Sequence, residues 1–464
     1  MKRKAEMAIS LEYGIKTILG KIEFEVLCMI LKMKIFLVES FFVMKKCLKS
    51  IIPFFTFCLL FAVSSSLLCA QTPQLPWLWT SIGDNFQVSL NIGDDFSPSV
   101  ASNGKFYFVV WARNTGDGFD IYGVRIDRDG NKMDDTEILI CNAPNDQISP
   151  AVSWNGESFM VVWDDKRNGK RWDIFGAVVS PEGEVRKEVQ ISIGKSNYDQ
   201  AAPTILFGKG NHLVVWQGKR NPKTWNIYFT MVSRDGDVLL DNPVQLAPSL
   251  KDQALPAAAF DGKNYLVVWQ DKRNGRVWDI YGARVSSAGD VVDRSPIQLT
   301  SAGDFDRWNP ILSWNGSHFL ALWEVTRQNR SNFLGGRVSP AGDVIDNVDL
   351  AIQGDGANKG SPSIIWDGSD FLLFWEEEPE GKSKIYGASI QSDYRWVFVS
   401  ESASISTPGK TSNPSSPTVA LLGDEALVVW QERSDPDQGW NVFGQIIAKV
   451  KTPATGGSNL TRGQ

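Results

Sequence analysis

The sequence has very little histidine and cysteine. Only 2 of its 464 residues are His and 5 are Cys, so a multi-histidine metal centre or a histidine-based triad has little material to draw on. Its 47 Lys and Arg are outnumbered by 53 Asp and Glu, which argues against nucleic-acid binding through neutralised phosphates. The sequence also lacks a phosphate loop, a nucleophile elbow and a zinc motif. What it has in excess is tryptophan, with 18 residues.

The N-terminal region has the order of segments found in secretory signals. A short basic segment, Met44 to Lys49, is followed by an apolar run from Ile51 to Leu68 and then by polar residues. This order of basic, apolar and polar segments is typical of a signal peptide. Two alternatives stay open: an uncleaved membrane anchor, because 18 apolar residues can just span a bilayer, and lipid attachment at Cys69.

We therefore divide the N-terminal region into three parts. Residues 1–43 are predicted to be an extension upstream of the true start, residues 44–70 a signal peptide and residues 71–85 a linker. The protein is then exported, to the periplasm, the cell surface or the extracellular medium. Removal of the signal leaves one cysteine, Cys141, so the mature chain has no intrachain disulfide.

A repeat of about 53 residues fills the rest of the chain. In each repeat a tryptophan ends an apolar run, at spacings of 52, 53, 53, 54, 52 and 55 residues, and a proline lies 13 residues before it. The tryptophans are Trp111, Trp163, Trp216, Trp269, Trp323, Trp375 and Trp430, and the prolines are Pro98, Pro150, Pro203, Pro256, Pro310, Pro362 and Pro417. A fixed period of this length indicates a repeat architecture.

The fourth repeat shows what each unit forms. A short strand, Pro256 to Phe260, and a β-branched strand, Tyr265 to Trp269, flank the turn Asp261-Gly262. An alternating strand, Trp278 to Val285, and a last strand, Pro296 to Thr300, follow. Four strands in about 53 residues, with no helical periodicity, are typical of a propeller blade.

The incomplete ends of the repeat array predict a closed ring. The seventh repeat has only three strands, and the segment Phe86 to Leu90 has the pattern of a fourth strand. We expect this N-terminal strand to complete the last blade, which removes the exposed sheet edges. The prediction is an all-β, seven-bladed β-propeller of four-stranded blades over residues 86–450, followed by a flexible tail at 451–464.

One run of residues resembles a known family. The segments Asn264 to Trp269, Asp271 to Gly275 and Asp279 to Gly282 resemble the blades of TolB-like, WD40-like propellers of bacterial envelopes. The likeness covers about residues 86–450, repeat by repeat. It implies the propeller fold, whereas function has to be argued from the site.

Two sets of residues are candidates for a ligand-binding face. The loops after the second strands carry an Arg four residues past the tryptophan and a Trp that opens the third strand; the members are Arg167, Arg220, Arg273, Arg327, Trp172, Trp225 and Trp278. They either brace neighbouring blades or bind a ligand with planar groups. The second set breaks the repeat and comprises Asp306, Trp308 and Glu377. Both sets are expected on one face of the disc.

The main functional interpretation is a binding or scaffold module for a protein or glycan partner. It has no catalytic residues, no metal and no cofactor, binds no nucleic acid, is a monomer, and contacts a membrane only through the signal or anchor segment. The alternative is a hydrolase or lyase that acts on polysaccharide. A glycosidase needs two carboxyl groups about 5–10 Å apart, and Glu377 with Asp306 are the candidates for that pair.

Overall fold

The computed structural model describes residues 77–90, 93–192, 197–300, 303–327, 330–346, 350–351, 358–379, 382–392, 397–399, 403–407, 412–433 and 439–451. The predicted extension, the signal peptide and nearly all of the predicted tail lie outside the described residues. Within these ranges the regular structure consists of strands, and no helix is long and apolar enough to cross a membrane.

The strands are numbered in chain order and grouped into seven antiparallel blades. Strand β1 (Trp77–Gln87) precedes blade 1, which contains β2 (Asp94–Ser102), β3 (Tyr107–Asn114), β4 (Phe119–Ile126) and β5 (Ile138–Cys141). Blade 2 contains β6 (Gln147–Trp154), β7 (Phe159–Asp165), β8 (Asp173–Val179) and β9 (Val185–Gln190). Blade 3 contains β10 (Gln200–Phe207), β11 (Asn211–Lys219), β12 (Trp225–Ser233) and β13 (Val244–Gln245).

Blades 4 to 7 follow the same plan. Blade 4 contains β14 (Gln253–Phe260), β15 (Asn264–Asp271), β16 (Asp279–Ser286) and β17 (Ile297–Gln298). Blade 5 contains β18 (Arg307–Trp314), β19 (Phe319–Arg327), β20 (Arg330–Val338) and β21 (Leu350–Ala351). Blade 6 contains β22 (Asn358–Trp366), β23 (Phe371–Glu378), β24 (Lys384–Ser392), β25 (Val397–Val399) and β26 (Ala403–Ser404), and blade 7 contains β27 (Ser415–Leu422), β28 (Glu425–Glu432) and β29 (Asn441–Lys451).

The predicted seven-bladed fold and its closure are confirmed. Strand β1 pairs antiparallel with β29 and so becomes the fourth strand of blade 7. It begins at Trp77, nine residues before the predicted start at Phe86. A register shift between Ile82 and Phe86 contains Gly83, whose φ is 68°. This irregularity interrupts the alternation of residues and hides the first half of the strand from a pattern search.

The core lies between neighbouring blades. The seven repeat tryptophans are 0–3% exposed and belong to apolar clusters formed between consecutive blades, such as the cluster of Val161 and Trp163 with Phe108 and Val110. A fully buried Trp side chain contributes about 3–5 kcal/mol, judged by the cost of truncating it. Repetition of this contact around the ring accounts for seven of the 18 tryptophans in the sequence.

The first strands surround the central channel. The residue before each repeat proline has a positive φ of 48–55°, although none of them is glycine: Ser97, Ser149, Ala202, Leu255, Asn309, Ser361 and Ser416. Together with the seven prolines they line a channel cavity of about 500 Å³. A positive φ at a non-glycine residue costs roughly 1–3 kcal/mol unless its surroundings compensate. At six of the seven positions a side chain of the adjacent blade accepts a hydrogen bond from the N–H of this residue.

Candidate functional site

The side chain that follows each repeat tryptophan connects two blades. In six blades it accepts a hydrogen bond from the backbone N–H of the positive-φ residue in the next first strand. Asp164 accepts from Ala202. The other five bonds measure 2.8–3.2 Å and run to Gln217 from Leu255, Gln270 from Asn309, Glu324 from Ser361, Glu376 from Ser416 and Gln431 from Ser97. The strand register shifts at each of these N–H groups, so the bond satisfies a backbone donor that the bulge removes from the sheet.

Blades 2, 5 and 6 use a carboxyl group where blades 3, 4 and 7 use an amide. Glutamine at this position is sufficient to hold the next strand, as Gln217, Gln270 and Gln431 show. A buried carboxyl group is more costly than an amide, because its ionised form loses hydration. Glu324 and Glu376 differ from Asp164, the carboxyl group of blade 2, because both of them line one cavity.

Burial perturbs both carboxyl groups. The side chain of Glu324 is 4% exposed, and this burial raises its pKa to about 6. Hydrogen bonds from Asn309 Nδ2 (2.6 Å) and the N–H of Ser361 (3.0 Å) act in the opposite direction and lower the pKa. The charge of Glu376 raises the pKa of Glu324 further. Burial also raises the pKa of Glu376, opposed by hydrogen bonds from the N–H of Ser416 and the side chain of Ser361. Ser361 thus contacts both carboxyl groups.

A cavity of about 480 Å³ lies between blades 5, 6 and 7 and is lined by Glu324 and Glu376; we call it the glutamate cavity. Glu324 lies opposite Trp308 across the strand pair, and Glu376 lies opposite Gly360. A Cβ at Gly360 would lie 3.1 Å from Glu376 Oε1, so a side chain there would press on the carboxylate. Trp308 is 39% exposed, an unusual state for so large an apolar side chain. The cavity therefore combines two carboxyl groups with an accessible aromatic face.

The cavity is chemically suited to acid–base work. A carboxyl group with a pKa near 6 holds its proton in part at neutral pH, and the second carboxyl group beside it is less buried. Pairs of carboxyl groups whose environments separate their pKa values take the proton-donor and carboxylate roles in glycoside cleavage. The size of the cavity lies in the range of small-molecule sites, about 300–1,000 Å³.

The predicted arginines of blades 2 to 4 are bound to their own blades. Arg167 pairs with Asp165 at 2.6 Å and lies 3.8 Å from the ring centre of Phe175. Arg273 pairs with Asp271 at 2.6 Å and lies over Tyr281. Arg220 lies over Tyr228 and donates to the carbonyl of Pro243. The arginines thus stack on rings of the third strand.

The predicted tryptophans of these loops share a second arrangement. A lysine ammonium lies over each ring: Lys166 over Trp172 at 5.3 Å, Lys219 over Trp225 at 4.4 Å and Lys272 over Trp278 at 5.4 Å. Trp278 differs from the other two because it also lines a second cavity, of about 540 Å³.

This second cavity gathers several of the predicted residues. It is lined by Trp278, Asp306 and Trp308 together with Gln270, Val277, Asp304, Phe305 and Thr326. Arg327 lies 3.9 Å from the ring centre of Phe305. Arg167, Arg220, Arg273, Trp172 and Trp225 line neither this cavity nor the glutamate cavity.

Glu377 and Asp306 each serve a neighbour in the fold. Glu377 is 3% exposed, accepts the indole N–H of Trp375 at 2.7 Å and pairs with Lys359 at 2.8 Å. Asp306 accepts the backbone N–H of Trp278 at 2.8 Å. Glu377 lines the glutamate cavity and Asp306 the second cavity.

Sequence reasoning missed Glu324 and Glu376 because they occupy a repeated position. The signal was present in the column after each tryptophan, which reads Ala112, Asp164, Gln217, Gln270, Glu324, Glu376 and Gln431. It also treated Asp306 as unrepeated, whereas the position four residues before each proline reads Asp94, Asp146, Asp199, Asp252, Asp306, Asn358 and Asn413. Among the described residues no group of three or more His, Cys, Asp or Glu side chains could hold a metal ion.

No family model and no curated protein matches the chain. Solved structures do resemble it. A puromycin hydrolase is 15% identical with a TM-score of 0.49, over 78% of this chain and 55% of that one. An α-L-arabinanase of Penicillium chrysogenum, complexed with arabinobiose, is 11% identical with a TM-score of 0.45, over 80% and 98%. A thermostable family-43 glycoside hydrolase is 13% identical with a TM-score of 0.36, over 59% and 99%.

The interpretation as a binding or scaffold module without a catalytic constellation is corrected by the glutamate cavity. The solved structures named above include hydrolases. At such identities and TM-scores the likeness concerns the fold, so the correction depends on the pocket. The glutamate cavity contains the buried carboxyl group of Glu324 beside the half-buried carboxyl group of Glu376, a pair which that interpretation did not include.

Proposed function

We propose that the protein hydrolyses glycosidic bonds of a polysaccharide in the glutamate cavity. The observation that carries the proposal is the pair of Glu324 and Glu376, which face one cavity, interact electrostatically and share contacts with Ser361. Glutamine serves the fold at the same position in blades 3, 4 and 7, and Asp164 of blade 2 lies outside the cavity, so it is the placing of two carboxyl groups in one cavity that indicates chemistry.

Glu324 is the proton donor in this proposal. Its pKa of about 6 keeps part of the population protonated at neutral pH. As the bond between the anomeric carbon and the leaving oxygen breaks, Glu324 gives its proton to that oxygen. Water supplies the hydroxyl group that ends on the anomeric carbon, and its remaining proton restores the acid through the carboxylate pair.

Glu376 is the ionised partner. It is less buried than Glu324, and its carboxylate stabilises the positive charge that develops on the sugar ring. Ser361 bridges the two carboxyl groups through two hydrogen bonds, so their separation is no more than about 9 Å, below the upper limit of about 10 Å for such pairs. Gly360 keeps the space next to Glu376 Oε1 free of a side chain.

Trp308 supplies the binding surface for the sugar. Its exposed ring lies on the strand next to Glu324 and lines the same cavity. An aromatic face buries the apolar face of a sugar ring, while carboxyl and amide groups at its edge accept hydrogen bonds from hydroxyl groups. Export through the predicted signal at 44–70 supports action outside the cytoplasm, and the resemblance to envelope propellers supports the same location.

The test is the release of reducing ends from a panel of polysaccharides. Wild-type protein is compared with Glu324→Gln and Glu376→Gln, and we expect each variant to lose at least about 100-fold in rate, the usual effect of removing a general acid or its partner. Asp164→Asn is the matched control, because Asp164 occupies the same position in blade 2 and lies outside the glutamate cavity. It is expected to retain activity.

Two results would refute the proposal. The first is a folded wild-type protein that releases no sugar from neutral, acidic or amino-sugar polymers. The second is equal activity of Glu324→Gln and wild type. Thermal melting of all variants shows that any loss is not caused by unfolding.

A further inference from the structure

The glutamate cavity and the second cavity are adjacent. Trp308 and Thr326 line both the glutamate cavity and the second cavity. Trp308 therefore stands at the junction, with the carboxyl pair on one side and Trp278 and Phe305 on the other. A single sugar ring fills only part of two cavities of about 480 and 540 Å³. The paired volumes suit a chain of sugars.

The second cavity has the composition of a sugar-binding site. Its aromatic members, Trp278, Phe305 and Trp308, provide flat apolar surfaces, and Gln270, Asp304 and Asp306 provide hydrogen-bond acceptors. Trp278 is held in place, since its backbone N–H donates to Asp306 and Lys272 lies over its ring. A rigid aromatic side chain loses little entropy when a ligand binds to it.

The charge of the two cavities selects against acidic polymers. Six carboxyl groups line them, those of Asp304, Asp306, Glu324, Glu376, Glu377 and Glu378. Among the described lining residues the one cation is Lys359, which is buried and paired with Glu377. Lys272 lies over the ring of Trp278 and Arg327 over that of Phe305, and these two charges leave the balance negative. Repulsion between like charges in a partly desolvated cleft disfavours uronic acid residues.

We infer that the substrate is an extended neutral polysaccharide that runs from the Glu324–Glu376 cavity across Trp308 into the cavity of Trp278 and Phe305. The inference rests on the proposed function, which it deepens by naming the substrate class and a second subsite. It makes Trp278 a residue that binds substrate without taking part in bond cleavage.

Trp172 provides a matched control for Trp278. Both open a third strand, both are half-buried, and both donate a backbone N–H to an Asp, at 3.1 and 2.8 Å. A lysine lies over each ring, at 5.3 and 5.4 Å. Only Trp278 lines the second cavity. A comparison of Trp278→Ala with Trp172→Ala therefore isolates the contribution of the cavity from that of the blade.

The experiment measures binding by the full chain carrying Glu324→Gln, so that the probes are not consumed. The probes are oligosaccharides of two to six units from arabinan, xylan, mannan and β-glucan, with oligogalacturonates as the acidic set, and binding is followed by calorimetry. We expect at least one neutral hexasaccharide to bind about tenfold or more tighter than its disaccharide. Trp278→Ala should remove about tenfold of the hexasaccharide affinity and leave the disaccharide unchanged, whereas Trp172→Ala should change neither.

The possible failures are distinguishable. Equal affinity for disaccharide and hexasaccharide, equal effects of Trp278→Ala and Trp172→Ala, or preference for oligogalacturonates would each overturn the inference, even if the wild-type protein cleaves glycosidic bonds. The absence of binding to every probe would overturn it as well. Length-dependent neutral binding without hydrolysis by wild-type protein would support the extended site and refute the proposed function.

Discussion

Replacing Glu324 by Gln changes a buried carboxyl group into the amide that blades 3, 4 and 7 carry at the same position. Both hydrogen bonds to this side chain, from Asn309 Nδ2 and the N–H of Ser361, end on Oε1. The amide oxygen of Gln can accept both. The substitution therefore removes the ionisable group and preserves the contact between blades 5 and 6.

The magnitude follows from the pKa of Glu324. Burial raises it from 4.5 to about 6, so the folded state binds more protons than the unfolded state between these two pH values. The free energy of unfolding of the wild-type protein then falls as pH rises through this window and is constant above it. A difference of about 1.5 pKa units corresponds to about 2 kcal/mol. In Glu324→Gln the free energy of unfolding does not fall in this way, because the amide does not ionise.

Thermal melting at several pH values is the assay. At pH 4 the variant and the wild type should melt at similar temperatures, because the glutamate is protonated in both states. At pH 8 the variant should melt higher, by about 2–5 °C for a stabilisation of about 2 kcal/mol, while its activity is lost. Two results would refute the idea that the carboxyl group of Glu324 lowers the stability of the protein. One is a lower melting temperature of the variant than of the wild type at pH 8. The other is a difference between the two melting temperatures that does not change with pH.

Three further outcomes are expected. Burial raises the pKa of Asp164 to about 7, so Asp164→Asn should raise the melting temperature at pH 8 and have little effect at pH 3.5; a pH-independent effect would contradict this. Lys359→Met should destabilise the fold by about 3–5 kcal/mol in denaturant unfolding, because it leaves Glu377 buried without its partner. The double variant Lys359→Asp with Glu377→Arg copies the Asp95–Arg113 pair of blade 1 and should recover most of the lost stability. Removal of β1 should expose the edge of β29 and give early protease cleavage after about residue 420, whereas an unchanged digestion pattern would count against closure by β1.

The fold was predictable because every repeat contains the same large residues at the same spacing. In each of the seven repeats a tryptophan lies 13 residues after a proline. The tryptophan marks a buried side chain and the proline marks the bulge of the first strand, and both features depend on local sequence. The start of β1 was not predictable in the same way, since Gly83 interrupts the strand pattern. Its pairing with β29 depends on a contact between the two ends of the chain.

The site was less predictable than the fold. Glu324 and Glu376 lie at a repeated position that six of the seven blades use for the contact to the next blade. Because a repeated position indicates a structural role, the two glutamates were not selected as candidates. The exposure of Trp308 and the absence of a side chain at Gly360 become meaningful only when the strand register brings them opposite those glutamates. Comparing residue types within each repeated column would have found the pair.

The most direct test of the central claim is hydrolysis in water labelled with oxygen-18. Mass spectrometry of products from a neutral polysaccharide should show one labelled oxygen per bond cleaved by the wild-type protein, and none above background with Glu324→Gln or Glu376→Gln. Unlabelled unsaturated products would indicate elimination by a lyase. That result, or equal labelling by wild type and both variants, would contradict the assignment of this pair as the hydrolytic site.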